Sequence, residues 1–415
     1  MMKVLWLSNK VQSGQDLGKT GTWLDSMAQG LVQSGQVQLA NIAMGPVHQI
    51  AQQDAGNITQ WVIPAGVMLH LRNGLPPMTI VDDICRVVKE FAPDIVHVWG
   101  TETFWGLLSA RRLIQHPTLL EMQGVKSAIA RVYHGDLTWG EQIACIGIKE
   151  IVRGNTIPQG RSRFSTWACF EHEIVAGQPF ITAQSPWLEA QIRVINSQCH
   201  IFHNDFALRQ PFYLAAPWQP NEQAVIFCSA SYPSPFKGIH IAVRALALLK
   251  RRFPAIQLRI AGALQRPGLR QEGYMAWVNR EARRLGVEQN IQWLGALSAD
   301  QIVAEIQQCA VVFLPTFIEG YSLALAEAMA IGAPTVVSYV GGATHLARDE
   351  DSALYFSPGD VKMAAYQIGR LLTDLRLAAR LGMHARTVAL ERNDPERIIR
   401  RQFEIYHSVL RLTAE

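Results

Sequence analysis

The chain has 415 residues, of which 49% are hydrophobic and 17% are charged, and its formal net charge is +4. This length exceeds what one hydrophobic core usually supports, so two domains are expected. Apolar runs of 18 residues are absent, which argues against a membrane-spanning helix, and dense basic runs are absent, which argues against a nucleic-acid partner. The six cysteines are widely spread with no C-x-x-C pair, and the N-terminus has no signal-peptide pattern. A cytoplasmic location is therefore expected.

The first half of the chain alternates strand-like and helix-like segments. KVLWLS predicts a buried strand, TWLDSMAQGLVQSG a helix that stops at Gly35, and LANIAMG a second strand. TIVDDICRVVKEFAP predicts an amphipathic helix ended by Pro93, and the strand DIVHVWG follows it. Apolar strands that alternate with helices indicate a parallel sheet covered by helices.

A glycine loop, SGQDLGKTGTW, follows the first predicted strand. Gly18-Lys19-Thr20 is similar to the end of a phosphate-binding Walker A motif, which requires four residues between its first glycine and the Gly-Lys pair. Only three residues separate Gly14 from Gly18. The spacing therefore argues against a P-loop nucleotide hydrolase.

A polar, proline-bearing passage at 208–223, LRQPFYLAAPWQPNEQ, predicts the boundary between the two domains. The alternation then restarts with AVIFCSA, GIHIAVRALALLKRRFP, IQLRIAG, IQWLG, AVVFLPT and PTVVSYVGG. We expect an N-terminal Rossmann-like domain at 1–215, a C-terminal one at 216–395, and a last helix at 396–415 that packs back on the first domain. The fold class is α/β, with two doubly wound domains facing a cleft.

The segment FLPTFIEGYSLALAEAMAIGAPTVV combines a buried strand, a loop and a helix that is apolar nearly all round. Glu327 is the only charge within that helix, and burying it requires a partner, either a cation or ligand hydroxyls. Glu319 lies in the loop before the helix, and Gly320 allows close approach of the backbone. The N–H groups of Tyr321, Ser322 and Leu323 start the helix and are suited to an anion.

EGYSLALAEAMAIGAPTVVS resembles the E-x7-E signature of family-4 glycosyltransferases of the GT-B fold. The resemblance implies that the helix N-terminus holds the diphosphate of a nucleotide sugar, with Glu327 on the ribose hydroxyls and Glu319 against the donor sugar. It implies transfer with retention at the anomeric carbon. The alternative is an ordinary strand–helix unit in which Glu327 meets an arginine.

YPSPFKGIHIAVRALALL resembles the family's Lys-Gly entry to a helix, which implies that Lys237 pairs with the donor phosphates. The family pattern places an arginine before this lysine, and FCSASYPSPFKG has none, which leaves room for a catalytically weak sugar-nucleotide-binding scaffold or sensor. No D-x-D pair is placed to hold a divalent ion, so metal-independent transfer without a cofactor is expected.

PDIVHVWGTE, LLEMQGV and CHIFHNDFALRQPFY resemble a branch that builds bacterial surface polysaccharides. That likeness implies a glycan or lipid-linked acceptor and leaves open peripheral contact with the inner face of a membrane.

Glu102 and Gln123 are candidates for sugar contact, with local capping as the alternative for Glu102. Trp23, Trp99 and Trp105 are candidates for a sugar-stacking platform, with core packing as the alternative. By the same resemblance, Gly21 and Thr22 begin a helix that faces the diphosphate; His97 is expected to be packed.

Overall fold

The computed structural model describes residues 1–12, 23–230, 234–262 and 272–415, with Trp23 described by its backbone only. The strands are β1 (Met2–Ser8), β2 (Val37–Gly45), β3 (Ala51–Ala55), β4 (Ile58–Pro64), β5 (Ile95–Trp99), β6 (Thr118–Glu121), β7 (Phe180–Ala183), β8 (His200–His203), β9 (Val225–Ser229), β10 (Gln257–Ala261), β11 (Ile291–Gly295), β12 (Val311–Leu314), β13 (Thr335–Ser338) and β14 (Leu354–Phe356). The helices are α1 (Trp23–Gln33), α2 (Met78–Phe91), α3 (Trp105–Ala110), α4 (Lys126–Val132), α5 (Trp139–Ala144), α6 (Ile148–Arg153), α7 (Ile157–Ala176), α8 (Pro186–Ile195), α9 (Gln210–Leu214), α10 (Ile239–Lys250), α11 (Gly273–Arg284), α12 (Ala299–Gln308), α13 (Leu323–Ile331), α14 (Ala343–Leu346), α15 (Val361–Thr373), α16 (Leu375–Arg392) and α17 (Pro395–Ala414).

The chain forms two compact units. Unit 1 comprises Met1–Lys126, Thr166–Ala207 and Asn393–Glu415, and unit 2 comprises Ser127–Ser165 and Leu208–Arg392. This division differs from the boundaries expected from the sequence chiefly in the segment 127–165. The segment 127–165 packs within unit 2, although it precedes the expected boundary. The last helix packs within unit 1.

Unit 1 is built on an eight-stranded sheet with the order β3-β4-β2-β1-β5-β6-β7-β8. All neighbours are parallel except β3 and β4, which form an antiparallel hairpin across Gly56 and Asn57. Val4 to Leu7 at the centre of β1 are buried on both faces of the sheet. A central parallel strand covered by helices on both sides requires such a continuous apolar run.

Unit 2 is built on a six-stranded parallel sheet with the order β11-β10-β9-β12-β13-β14. Numbered within the unit, this is the doubly wound order 3-2-1-4-5-6. The α/β class with two Rossmann-like parallel-sheet domains is thus confirmed. α13 is buried from Leu325 to Ile331, as its apolar sequence predicts. It ends at Gly332, whose φ of 85° is favourable for glycine alone.

The C-terminal helix α17 belongs to the core of unit 1. Its first turn is capped by Asp394, whose carboxylate accepts a hydrogen bond from the N–H of Arg397 at 2.7 Å. Tyr406 is fully buried, and its hydroxyl lies 2.8 Å from Nδ1 of His97 on β5. Among the helices of the described residues, none combines the length and the apolar character needed to cross a bilayer.

Candidate donor site

The order of the unit 2 sheet reverses between β9 and β12, which are neighbours although three helices and two strands separate them in the chain. In doubly wound sheets, ligands bind beyond the carboxyl ends of the two neighbouring strands at which the strand order reverses. The segment after β9 leads to Lys237, and the segment after β12 leads to Glu319. Two residues proposed from the sequence therefore follow the two strands at the reversal point.

Backbone contacts fix these two segments against each other. The N–H of Phe317 donates to the carbonyl oxygen of Phe236 at 2.7 Å. Gly238 has a φ of 72°, and a Cβ at this position would collide with the carbonyl oxygen of Pro315. A glycine is needed here for both reasons, because the backbone is left-handed and the neighbouring segment is too close for a side chain. Lys237, the preceding residue, is thereby held at the strand end.

Lys237 and Glu319 form an ion pair. The ammonium Nζ donates to Oε1 of Glu319 at 2.6 Å, and both side chains are 22% exposed. The backbone carbonyl of Glu319 accepts from the N–H of Gly342 at 3.0 Å, which ties the carboxylate-bearing loop to the loop after β13. A half-buried, charge-assisted pair at a strand-end reversal can bind a ligand by exchanging one partner for a charged group of that ligand.

Helix α13 begins immediately after this loop. Ser322 caps it, its Oγ accepting from the N–H of Leu325 at 3.4 Å, and both Tyr321 and Ser322 are buried. The sequence predicted that the N–H groups of Tyr321, Ser322 and Leu323 would all be available to an anion. The N–H of Leu323 instead contacts the carbonyl oxygen of Tyr321 at 3.1 Å, so this part of the prediction is wrong for the structure as it stands.

Glu327 is buried in the middle of α13 and pairs with Arg209, which precedes α9. The Nε and Nη2 atoms of Arg209 lie 2.8 and 2.7 Å from Oε1 of Glu327. Burial raises the pKa of Glu327, and the adjacent guanidinium lowers it. The sequence predicted that a buried Glu327 needs either a cation or ligand hydroxyls as its partner. In the structure that partner is a cation, the guanidinium of Arg209. Both contacts reach Oε1, and within the described part of the chain no hydrogen bond reaches Oε2.

In unit 1, the ends of β5 and β6 bring Glu102 and Gln123 together. A Cβ at Gly100 would collide with the carboxylate of Glu102 and would lie 3.2 Å from Cδ of Gln123. Oε2 of Glu102 is buried and has no hydrogen-bond partner among the described residues, while Oε1 lies 3.8 Å from Nζ of Lys126. Because the Glu102 side chain is 29% exposed, a rotation of its carboxylate can bring this oxygen to a ligand hydroxyl.

A second carboxylate, Glu171 on α7, supports this loop of unit 1. It accepts from the hydroxyl of Thr101 at 2.6 Å and from the backbone N–H of Lys126 at 2.7 Å. Burial raises the pKa of Glu171 to about 7, although both hydrogen bonds lower it. The two segments that carry Glu102 and Gln123 are therefore joined through one buried carboxyl group.

The proposed tryptophan platform is wrong for two of its three members. Trp99 and Trp105 are buried in unit 1, and Nε1 of Trp105 donates to Asn9 Oδ1 at 2.9 Å, so both belong to the core. His97 is also fully buried and stacks on Trp99 with ring centroids 3.9 Å apart, as expected for a packed residue. Gly21, Thr22 and the side chain of Trp23 lie outside the described residues.

Arg209, Lys126 and Glu171 were not found by sequence reasoning. Arg209 carried a partial signal, since it is the only cation in the proline-bearing passage 208–223. Its pairing with Glu327 spans 118 positions, and spacing alone gives no means of matching the two. Glu171 is one of two acids within a long helix, and nothing in its neighbourhood distinguishes it from a surface residue.

Comparison with solved structures agrees with this architecture over the entire chain. Sucrose-phosphate synthase from Thermosynechococcus elongatus superposes with a TM-score of 0.73 at 14% identity, covering 100% of each chain. The Anabaena HepE protein, crystallised with UDP and glucose, gives 0.66 at 17% identity, covering 98% of this chain and 100% of that one. At this identity the likeness concerns the fold alone, which is the GT-B fold expected from the sequence.

The sequence itself gives a more specific result for unit 2. Residues 214–388 match the model of the family described as Glycosyl transferases group 1. The D-inositol 3-phosphate glycosyltransferase of Salinispora arenicola is 28% identical over 169 residues, which is 40% of this chain. That match spans 37% of the relative's own length. The family match thus lies in the unit that holds Lys237, Glu319 and Glu327.

Proposed function

We propose that this protein is a glycosyltransferase that moves a hexose-type sugar from a nucleotide-sugar donor to an acceptor hydroxyl, with retention at the anomeric carbon. In that reaction the bond from the anomeric carbon to the donor diphosphate breaks, the bond to the acceptor oxygen forms, and the acceptor's hydroxyl proton is released. The observation that carries the proposal is the Lys237–Glu319 pair at the sheet reversal of unit 2, immediately before α13.

The charges of this pair suggest how the donor is held. The diphosphate is an anion, so it competes with Glu319 for the ammonium of Lys237. A cation at the diphosphate stabilises the charge that develops as the glycosidic bond breaks. Once the lysine has moved to the diphosphate, the carboxylate of Glu319 is placed to accept hydrogen bonds from hydroxyls of the donor sugar. Gly320, Tyr321 and Ser322 supply the backbone at the start of α13.

Glu327 is assigned to the ribose. Its Oε1 is held by Arg209, and its Oε2 has no hydrogen bond within the described residues, so one carboxylate oxygen is fixed and the other is left for ribose hydroxyls. In this assignment the arginine is a positioning residue. Glu327 can therefore pair with Arg209 and bind the ribose at the same time, although these were predicted as alternatives from the sequence.

Unit 1 is assigned to the acceptor, a glycan or lipid-linked glycan of the kind used in surface-polysaccharide synthesis. Glu102 and Gln123 are its candidate contacts, because a buried carboxylate oxygen of Glu102 has no partner among the described residues. We propose that transfer requires neither a cofactor nor a divalent ion, with Lys237 supplying the positive charge. The proposed location is the cytoplasm, at the inner face of the membrane.

The test is a thermal-shift panel with UDP-, GDP-, ADP- and CMP-sugars, followed by a transfer assay with and without a metal chelator. A donor at about a hundred times its Kd adds roughly 2–3 kcal/mol of stability. One nucleotide class is expected to raise the melting temperature, and transfer is expected to survive chelation. A panel in which no sugar nucleotide shifts the melting temperature contradicts the proposal.

The second candidate is a sugar-nucleotide-binding scaffold without transfer. It is favoured by one observation, the absence of an arginine in the FCSASYPSPFKG segment, where the family pattern has one before the lysine. Under this hypothesis a donor shifts the melting temperature, but neither donor hydrolysis nor transfer is detected with any acceptor. Slow donor hydrolysis in the absence of acceptor decides for the enzyme.

A further inference from the structure

Two short helices of unit 2, α5 and α6, expose a group of large apolar side chains. The group, here called the α5–α6 surface, consists of Trp139, Ile143, Ile146, Ile148, Ile151 and Val152. Trp139 is 70% exposed, Ile151 68% and Val152 79%. Single exposed apolar residues are ordinary, but a cluster of this size within fourteen positions marks an interaction site.

The helical spacing places these side chains on one face of each helix. Trp139 and Ile143 are four positions apart on α5, and Ile148 is followed by Ile151 and Val152 at three and four positions on α6. Ile146 lies in the three-residue connection between the two helices.

Other faces of the two helices pack into unit 2. Gln142 is buried and donates to the carbonyl oxygen of Leu137 at 2.8 Å. Glu150 is buried and accepts from the N–H of Gly273 on α11 at 2.9 Å. The apolar side chains of both helices, in contrast, stay exposed.

Near the α5–α6 surface, Glu141 and Glu272 are neutralised in ion pairs with Arg244 and Lys149, and the charged side chains left exposed between residues 137 and 163 are cations. Between residues 137 and 163 there are two acids: Glu150 is buried, and Glu141 is turned toward Arg244 on α10, with which it forms an ion pair. The exposed charged side chains of this segment are all arginines, namely Arg153, Arg161 and Arg163. A fourth cation, Arg280 on α11, donates to the carbonyl oxygen of Ala144 at 2.5 Å and lies at the edge of α5.

We propose that the α5–α6 surface docks unit 2 onto an anionic lipid bilayer. An apolar face with a tryptophan, bordered by cations, is the composition of interfacial helices: the apolar side chains enter the headgroup–acyl boundary and the cations contact anionic headgroups. A symmetric contact with a second copy would place the arginines of two such surfaces at one interface, and like charges oppose it. The proposal rests on the inner-face location given under Proposed function and names the surface that would make this contact, and vesicle binding can be measured independently of sugar transfer.

The experiment is flotation of the full chain with vesicles of phosphatidylcholine alone and of phosphatidylcholine with phosphatidylglycerol. Binding is expected to the anionic vesicles and to weaken in high salt. The double variant Ile148→Asp/Ile151→Asp is expected to bind at least about tenfold more weakly. The matched control is Val194→Asp, at a side chain 88% exposed on α8 of unit 1, which is expected to bind as the parent does.

A charge reversal tests the electrostatic part. Arg153→Glu is expected to weaken binding to anionic vesicles by about fivefold or more, since each basic side chain near such a surface contributes about that factor. Lys89→Glu on α2, also exposed, is the control. Circular dichroism melts and the donor-induced thermal shift are expected to be the same in all variants, which separates loss of docking from loss of folding or of donor binding.

Three results overturn the proposal. The first is no binding to either vesicle. The second is binding that the α5–α6 variants and their controls change equally. The third is a concentration-dependent dimer in solution that Ile148→Asp/Ile151→Asp dissociates while vesicle binding is absent, which would assign the surface to a second copy of the chain.

Discussion

At the scale of single residues, Lys237 can serve one of two roles. It can stabilise the fold through its ion pair with Glu319, or it can stabilise negative charge on the donor during the reaction. Both side chains of the pair reach solvent at 22% exposure, and solvent screening weakens such a pair, so its contribution to folding is expected to be modest. If the lysine instead stabilises a departing diphosphate, its removal affects the reaction far more than the fold. The two roles predict different mutant behaviour.

Lys237→Met is expected to lower turnover by about 10²–10³-fold, because a preorganised charge that faces developing negative charge contributes on this scale. The melting temperature is expected to change little. Initial rates of sugar transfer and a thermal melt measure the two effects. Lys362→Met, at an exposed lysine on α15, is the control and should leave turnover unchanged. A large fall in melting temperature with normal turnover would assign Lys237 to structure.

Arg209→Met tests the buried partner of Glu327. Removal of the guanidinium leaves a carboxylate buried without its cation, which costs about 3–5 kcal/mol of unfolding free energy. The pKa of Glu327, already raised by burial, rises further without Arg209. A raised folded-state pKa means that stability is lost as pH increases, so the variant is expected to be most destabilised in alkaline buffer. Its melting temperature should then fall with pH more steeply than that of the parent.

The control for this substitution is Arg209→Met combined with Glu327→Gln, in which no charge remains to be buried. The double variant is expected to recover part of the lost stability and to lose the additional pH dependence. Equal destabilisation of single and double variants at every pH would show that Arg209 acts by packing, for example through its contact with the ring of Phe212, 4.8 Å away.

At the scale of elements, β5, β6 and α17 meet in a buried polar cluster in unit 1. Nε2 of His97 lies 3.5 Å from Oε2 of Glu121, and Nδ1 of the same ring lies 2.8 Å from the hydroxyl of Tyr406. Burial raises the pKa of Glu121 to about 8 and lowers the pKa of His97 to about 3. Burial thus favours the uncharged form of both groups, a protonated carboxyl group and a neutral imidazole.

Glu121→Gln is expected to remove a pH dependence of unit 1 stability. In the parent, Glu121 takes up its proton more readily when folded, so its contribution is present below its usual range near pH 4.5 and is lost as the pH rises toward 8. The parent should lose up to about 1.4 kcal/mol per pH unit relative to the variant across this window. Denaturant melts at several pH values measure it. Glu90→Gln, exposed on α2, should run parallel to the parent.

The same scale shows what the sequence could predict. The strands on either side of the unit 2 reversal, β9 and β12, are short apolar runs followed by loops, and local periodicity is enough to find them. The hairpin β3–β4 was missed, although its two-residue Gly56–Asn57 turn between alternating residues is a known hairpin signal. The placement of α5 and α6 in unit 2 depends on long-range contacts such as Glu150 with Gly273, which no local pattern encodes.

Some residues of the candidate site could likewise be predicted from the sequence, and others could not. Glu319 and Glu327 belong to one strand–loop–helix segment, so their spacing predicted them together. Lys237 required the resemblance to a family, because a lysine in a turn is usually a surface residue. Arg209 lies near the start of the passage 208–223, which was predicted as the domain boundary. Its role follows only from the folded chain, in which it reaches a carboxylate 118 positions away.

At the scale of the whole molecule, the proposed function assigns different tasks to the two units, and paired substitutions test this division. Glu327→Gln in unit 2 is expected to weaken donor binding by about ten- to a hundredfold, since one charged hydrogen bond is worth about 1.5–3 kcal/mol, and transfer falls with it. Glu102→Gln in unit 1 is expected to leave the donor-induced thermal shift unchanged while raising the KM for the acceptor, because only the acceptor contacts that oxygen. Donor titrations followed by thermal shift, and transfer rates at varied acceptor concentration, separate the two effects; Glu90→Gln should change neither. If Glu102→Gln abolishes donor binding, or if Glu327→Gln alters only the acceptor KM, the assignment of donor to unit 2 and acceptor to unit 1 is wrong.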